Sequence, residues 1–163
     1  MKHSTVRNIV FAAAAFAAGS LFAYTVTING VEWSYEVYNG EAEVSSIPKS
    51  TSGAVTIPST LGGCPVTSIG SSAFYRCSGL ASVTIPDSVT SIGGHAFSYC
   101  SGLASVTIPD GVTSIGSSTF SSCTDLTSVM IPNSVTSIAD SAFRYCNNLT
   151  SITIPDSVTS IGS

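Results

Sequence analysis

IPDSVTSIGGHAFSYCSGLASVT, residues 85–107, decides the fold, because the chain then writes it again. Residues 108–130 keep the same residue at 14 of the 23 positions, and residues 131–153 are a third copy. A fourth copy starts at Ile154 and stops at Ser163. Upstream, residues 57–84 carry the same pattern with five residues inserted after Ile57-Pro58. A fixed period of about 20 to 50 residues marks a solenoid, in which each unit buries its apolar face on the next.

Within one unit, Leu80, Val83 and Ile85 fall as L-x-x-V-x-I. A strand there turns Val83 and Ile85 to one side and Ser82 and Thr84 to the other. Pro86-Asp87-Ser88 supplies turn chemistry. Residues 89–92 give a second short extended run, ended by Gly93. Residues 95–100 contain no breaker and set Phe97 and Cys100 three apart, the spacing of one helical face. The pattern predicts an α/β repeat solenoid of about 23-residue units: short strand, turn, short strand, short helix. Stacking then places Phe74, Phe97, Phe120 and Phe143 in one column, and Leu80, Leu103, Leu126 and Leu149 in another.

The recurring L-x-S-V-T-I-P, V-T-S-I-G and A-F-x-x-C of residues 54–163 resemble the BspA-like class of leucine-rich repeats. The resemblance implies a right-handed solenoid in secreted and surface proteins of bacteria or protists, some of them adhesive, and it implies no enzyme. Where ordinary leucine-rich repeats carry an asparagine ladder, this chain has Ser88, Gly111, Ser134 and Ser157.

Outward from the repeats, residues 24–44 alternate with period two around Asn29-Gly30 and Asn39-Gly40. Asn-Gly between alternating runs is a strong hairpin signal, because a type I′ turn needs positive φ at both central residues. Three antiparallel strands follow, at 24–28, 31–38 and 41–44. Residues 24–53 are expected to form a β-hairpin or meander cap on the bare end of the first coil, with Trp33 and Tyr35 serving the cap rather than a ligand platform.

Residues 1–23 have the layout of a secretory signal peptide: Lys2 and Arg7, then the apolar run 9–18, then Leu21-Phe22-Ala23. The apolar run falls short of the roughly 20 residues that a membrane span needs. Cleavage is expected after Ala23, with Ser20 as the second choice, leaving no membrane span. At the other end the chain halts at Gly162-Ser163, mid-coil, so the last repeat is incomplete and the pattern predicts continuation.

Composition narrows the partners. Charged residues are 9% and hydrophobic ones 44%, and the formal net charge is −4. Without residues 1–23, only Lys49, Arg76 and Arg144 stand against nine carboxylates. Three scattered bases cannot displace counterions from a phosphate backbone, which excludes nucleic acid. Cys77, Cys100, Cys123 and Cys146 lack the close pairing of metal sites and are expected to pack as a buried column of small hydrophobes. Cys64, inside the insertion, is the odd one; nothing in the sequence supports reading it as an exposed reactive thiol. Asp87, Asp110, Asn133 and Asp156 follow each proline as turn residues, one per coil, too few oxygens for calcium. His95 is expected to be a solvated residue, and no base held by a third group marks a nucleophile. No catalytic residue, cofactor or metal is expected.

Variation concentrates where packing leaves positions free. Tyr75, Arg76, Tyr99, Arg144 and Tyr145 precede the cysteines, and tyrosine and arginine are frequent interface anchors. Thr84, Thr107, Met130 and Thr153 line the strand face with Ser82, Ser105, Ser128 and Ser151. These two sets form the candidate binding face, for an extracellular protein or glycan. The expected role is a secreted or cell-surface binding module acting in adhesion or protein–protein interaction. The competing one is a spacer or stalk that presents a further C-terminal domain.

Overall fold

The computed structural model describes residues 22–163. The signal-peptide reading therefore falls outside the described residues, except that Phe22 and Ala23 open the first strand.

Strands β1 (Phe22–Ile28), β2 (Val31–Tyr38) and β3 (Glu41–Ser46) form an antiparallel meander. Its turns stand at the two Asn-Gly pairs: φ is 52° at Asn29 and Asn39, and 80° and 81° at Gly30 and Gly40. Next come β4 (Gly53–Thr56), which edges a second sheet, and the antiparallel pair β5 (Thr60–Leu61) and β6 (Cys64–Ile69). The five inserted residues thus make a tight hairpin, whose Gly62 lies against the Tyr35 hydroxyl. β3 pairs in parallel with β6, so the meander continues directly into the solenoid. Trp33, 1% exposed, meets Phe74 edge-on at 6.3 Å and covers the first phenylalanine of the column.

From there the coil repeats. β7 (Leu80–Thr84), β9 (Ser105–Thr107) and β11 (Ser128–Met130) join β4 in one parallel sheet with the register Ser82–Ser105–Ser128. Short strands run along a second line: β8 (Ser91–Ile92) pairs with β6, while β10 (Ser114–Ile115), β12 (Ser137–Ile138) and β13 (Ser160–Ile161) pair with one another. Between the lines lies the expected core. Phe74, Phe97, Phe120 and Phe143 stack at 4.8, 5.4 and 5.5 Å, with ring planes within 18° of parallel. Leu80, Leu103 and Leu126 are fully buried beside them.

The short helix expected at residues 95–100 is not formed, nor is its counterpart in any other coil. Amide donors there alternate between two destinations. Ala96, Ser98 and Cys100 donate to Gly93, His95 and Phe97, three residues back in their own coil. His95, Phe97 and Tyr99 donate instead to Ser117, Thr119 and Ser121 of the following coil, at 2.8–2.9 Å. The same alternation runs through residues 72–77 and 118–123. It needs φ between 55° and 63° at Ser72, Arg76, His95, Tyr99, Ser118, Ser122, Ser141 and Tyr145, which interrupts any helix twice per coil. A helix would have satisfied these donors internally. Consecutive turns send half of them across the coil junction and tie each unit to the next. The architecture is a strand-and-turn solenoid of about five coils.

Serine replaces the asparagine ladder in a specific way. Ser88, Ser134 and Ser157 each donate Oγ to the carbonyl of a valine one coil back (Val66, Val112 and Val135), all at 2.7 Å. Gly111 leaves the Val89 carbonyl without that bond.

Candidate binding face

The consecutive turns stack into what is here termed the turn ladder. Residues 75, 98, 121 and 144 form one of its columns, and residues 76, 99, 122 and 145 the next, fixed by Arg76 N–H to Ser98 O, Tyr99 N–H to Ser121 O and Ser122 N–H to Arg144 O. The 23-residue period therefore brings Tyr75, Arg76 and Tyr99 together. The rings of Tyr75 and Tyr99 meet edge-on at 5.7 Å, and the Arg76 guanidinium lies over both, 5.2 and 5.6 Å from their centroids. Two coils further on, Arg144 lies over Tyr145 at 4.6 Å and donates to its hydroxyl at 2.8 Å. Tyr99 and Tyr145 are about half exposed. Between the clusters the column holds only Ser98 and Ser121, both buried. Neither arginine has a carboxylate partner among the described residues.

The second expected set stands elsewhere on the coil. Thr84, Thr107 and Met130 line up across β7, β9 and β11, all exposed, Met130 to 68%. Thr153 is exposed but belongs to no strand. No hydrogen bond or ring contact joins this set to the tyrosine–arginine ladder.

The cysteines are free; Cys64, Cys77, Cys100 and Cys123 are buried, and Cys146 in the last coil is partly so. Cys64, which opens β6 within the hairpin, is buried, which removes the exposed-thiol reading. Cys100, Cys123 and Cys146 donate Sγ–H to Phe74, Phe97 and Phe120 carbonyls one coil back, at 3.0–3.2 Å. Burial pushes all three thiols up, Cys123 to about 12. The repeat showed these side chains to be buried but gave no sign that each serves as a donor.

A third feature was hidden in the sequence. Glu41 and Glu43 of β3 accept from Thr67 and Ser68 of β6, and Glu36 faces Glu43 across the meander. This acidic strip depends on the β3–β6 pairing, which no local pattern announces. Among the described residues no three metal-ligating side chains converge. No helix among them is long and apolar enough to cross a membrane.

Residues 53–163 match the family model for the BspA type leucine rich repeat region in six copies. Among solved structures, a leucine-rich repeat protein of T. pallidum is 34% identical with a TM-score of 0.75. The match covers 80% of this chain but 62% of that one, so this chain spans less than two thirds of its length. A leucine-rich repeat protein from Bacteroides capillosus is also 34% identical, TM-score 0.67, covering 78% of this chain and 96% of that one. A leucine rich cell surface protein from Faecalibacterium prausnitzii is 30% identical, TM-score 0.53, covering 88% of this chain and 51% of its own. No curated protein matches the sequence.

Proposed function

This chain belongs to the BspA-type leucine-rich repeat family, and from that premise we propose that it is a secreted or surface-displayed binding module for an extracellular protein or glycan, acting in adhesion. The observation that carries the reading is the contrast within the repeat. The inward columns are nearly invariant, while the exposed turn-ladder positions hold two tyrosine–arginine clusters that contribute nothing to the core. Tyrosine and arginine dominate interface hot spots because they combine large contact area with directed polar groups. The exposed row of Thr84, Thr107, Met130 and Thr153 offers a second, flatter surface. Export rests on the leader-like residues 1–23 and is supported by a similar protein described as a cell surface protein.

The test uses the full chain binding to intact cells and to immobilised extracellular proteins and glycans. Two variants are compared: alanine at Tyr75, Arg76, Tyr99, Arg144 and Tyr145 together, and deletion of residues 108–130. A binder with a spaced footprint loses affinity in both. A spacer tolerates both, and unchanged binding in the two variants would leave the stalk reading in possession. Export is checked separately by N-terminal sequencing of the released protein, expected to start at Tyr24.

A further inference from the structure

We infer that the turn ladder receives an extended acidic segment of a partner protein, one carboxylate on Arg76 and a second on Arg144; this rests on the reading of the ladder as a binding face.

Three observations converge on an acidic occupant. First, Arg76, Tyr99 and Tyr145 sit at φ of 61–63°, a conformation that glycine and asparagine adopt far more readily. The hairpins of the same chain use asparagine for it, at Asn29 and Asn39. Bulky side chains held in this conformation at an exposed site point to a role outside the backbone. Second, both guanidinium groups are laid on tyrosine rings and lack a carboxylate among the described residues. Such a group is oriented in advance: Arg76 keeps its paired N–H donors free for a carboxylate, and Arg144 keeps those it does not give to the Tyr145 hydroxyl. Third, two of the three Lys and Arg residues outside the leader stand on this ladder, in a chain whose carboxylates are more numerous and include the glutamates of the meander. The ladder is therefore the surface where an acidic partner meets opposite charge.

Spacing favours a peptide. Arg76 and Arg144 are three coil steps apart, about 14 Å along the axis at about 4.8 Å per step. An extended chain advances about 3.4 Å per residue, so acidic residues four apart span the same distance. Sugar rings bind tyrosine by stacking on an open ring face, and here the arginines already lie over the faces of Tyr75, Tyr99 and Tyr145.

The experiment titrates the full chain into fluorescein-labelled nonapeptides of serine and proline that carry two glutamates two, four or six residues apart. Anisotropy is read at low and physiological salt, with polygalacturonate as a competing probe. The four-residue spacing is expected to bind tightest and to weaken with salt. Arg76→Gln and Arg144→Gln should each weaken it at least ten-fold, while Lys49→Gln leaves it unchanged. Arg76→Lys should fall short of the parent, because an ammonium cannot reproduce the planar pair. Thermal melts confirm that these exposed substitutions leave the fold intact. Equal binding of all three spacings, insensitivity to both arginine changes, or no binding below about 1 mM would overturn the proposal. Arginine-dependent capture of polygalacturonate alone would overturn the peptide and assign the face to an acidic glycan. If the acidic probes fail while the five-alanine variant still loses its extracellular partner, the binding reading stands and only the acidic occupant falls.

Discussion

Cys100 donates its thiol hydrogen to the carbonyl of Phe74, 3.0 Å away in the preceding coil. Cys123 repeats the bond to Phe97 at 3.2 Å, and Cys146 to Phe120 at 3.1 Å. A thiolate could not make that bond and would be stranded away from water, so burial raises these groups from the ordinary 9.0. The folded state therefore holds its protons where the unfolded chain releases them. The stability this contributes is fully present below pH 9 and is lost as pH rises toward about 12, the value for Cys123. Urea denaturation at pH 7, 9 and 10.5 should show a falling midpoint, with stability dropping by about 1.4 kcal/mol per pH unit for each fully buried thiol above pH 9. In parallel, iodoacetamide at pH 8 should leave Cys100 and Cys123 unmodified until the chain is unfolded.

Phe97 lies between two parallel rings, at 4.8 and 5.4 Å, and is wholly buried. Phe97→Ala opens a cavity in the middle of the stack and should cost about 3–5 kcal/mol. Because each coil touches only its neighbours, denaturation of this variant should split into two transitions, one for each side of the gap. A single unchanged transition in urea would contradict that.

The serine ladder makes a matched pair of predictions. Ser134→Ala removes the 2.7 Å bond to the Val112 carbonyl and should destabilise by about 1 kcal/mol. Gly111→Ser supplies the bond missing at Val89, although its Cβ starts 3.0 Å from that carbonyl oxygen. The other coils show that a serine fits once the neighbour yields a few tenths of an ångström, so a gain of about 0.5–1 kcal/mol is expected. Thermal denaturation of the two variants side by side checks the sign.

Ser122, at φ 62°, takes part in neither tyrosine–arginine cluster. Ser122→Asn should relieve its left-handed strain and stabilise the fold by about 0.5 kcal/mol. Ser122→Pro cannot adopt that φ and loses the N–H that reaches Arg144 O at 2.7 Å, so it should cost about 3 kcal/mol or more. Chemical denaturation distinguishes both from the parent.

The phenylalanine and leucine columns were legible in the sequence because identity at a fixed period is a direct image of stacking. The Asn-Gly turns were legible because only a few residue types accept positive φ. Residues 95–100 were misread as a helix because Phe97 and Cys100, three apart, fit a helical turn and a run of β-turns equally well. What decides between them is the destination of the Tyr99 amide, and its acceptor, Ser121, is 22 residues away. The left-handed conformation of Tyr99 was hidden for the opposite reason to that of Asn39: tyrosine is among the last residues expected there. At the candidate site, the period alone brings Tyr75 next to Tyr99. The placing of Arg76 over both rings is a matter of rotamers, which no repeat encodes. The burial of Cys64 was not legible, because the hairpin that carries it packs at Gly62 against Tyr35, a contact between segments with no shared pattern.

The alternation of amide donors gives the three junctions between residues 72 and 146 the same wiring. His95, Phe97 and Tyr99 reach forward with the bonds that Ser118, Phe120 and Ser122 repeat one coil later. A coil consequently has almost no means of recognising which neighbour it has met. Residues 131–153 could dock on residues 85–107 as readily as on their own predecessor. What forbids it is covalent: the skipped coil would have to loop out, with Phe120, Cys123 and Leu126 in water. Sequential order is enforced by the tether and not by molecular recognition. A gene in which residues 85–107 and 108–130 exchange places should therefore yield a protein that melts within a few degrees of the parent.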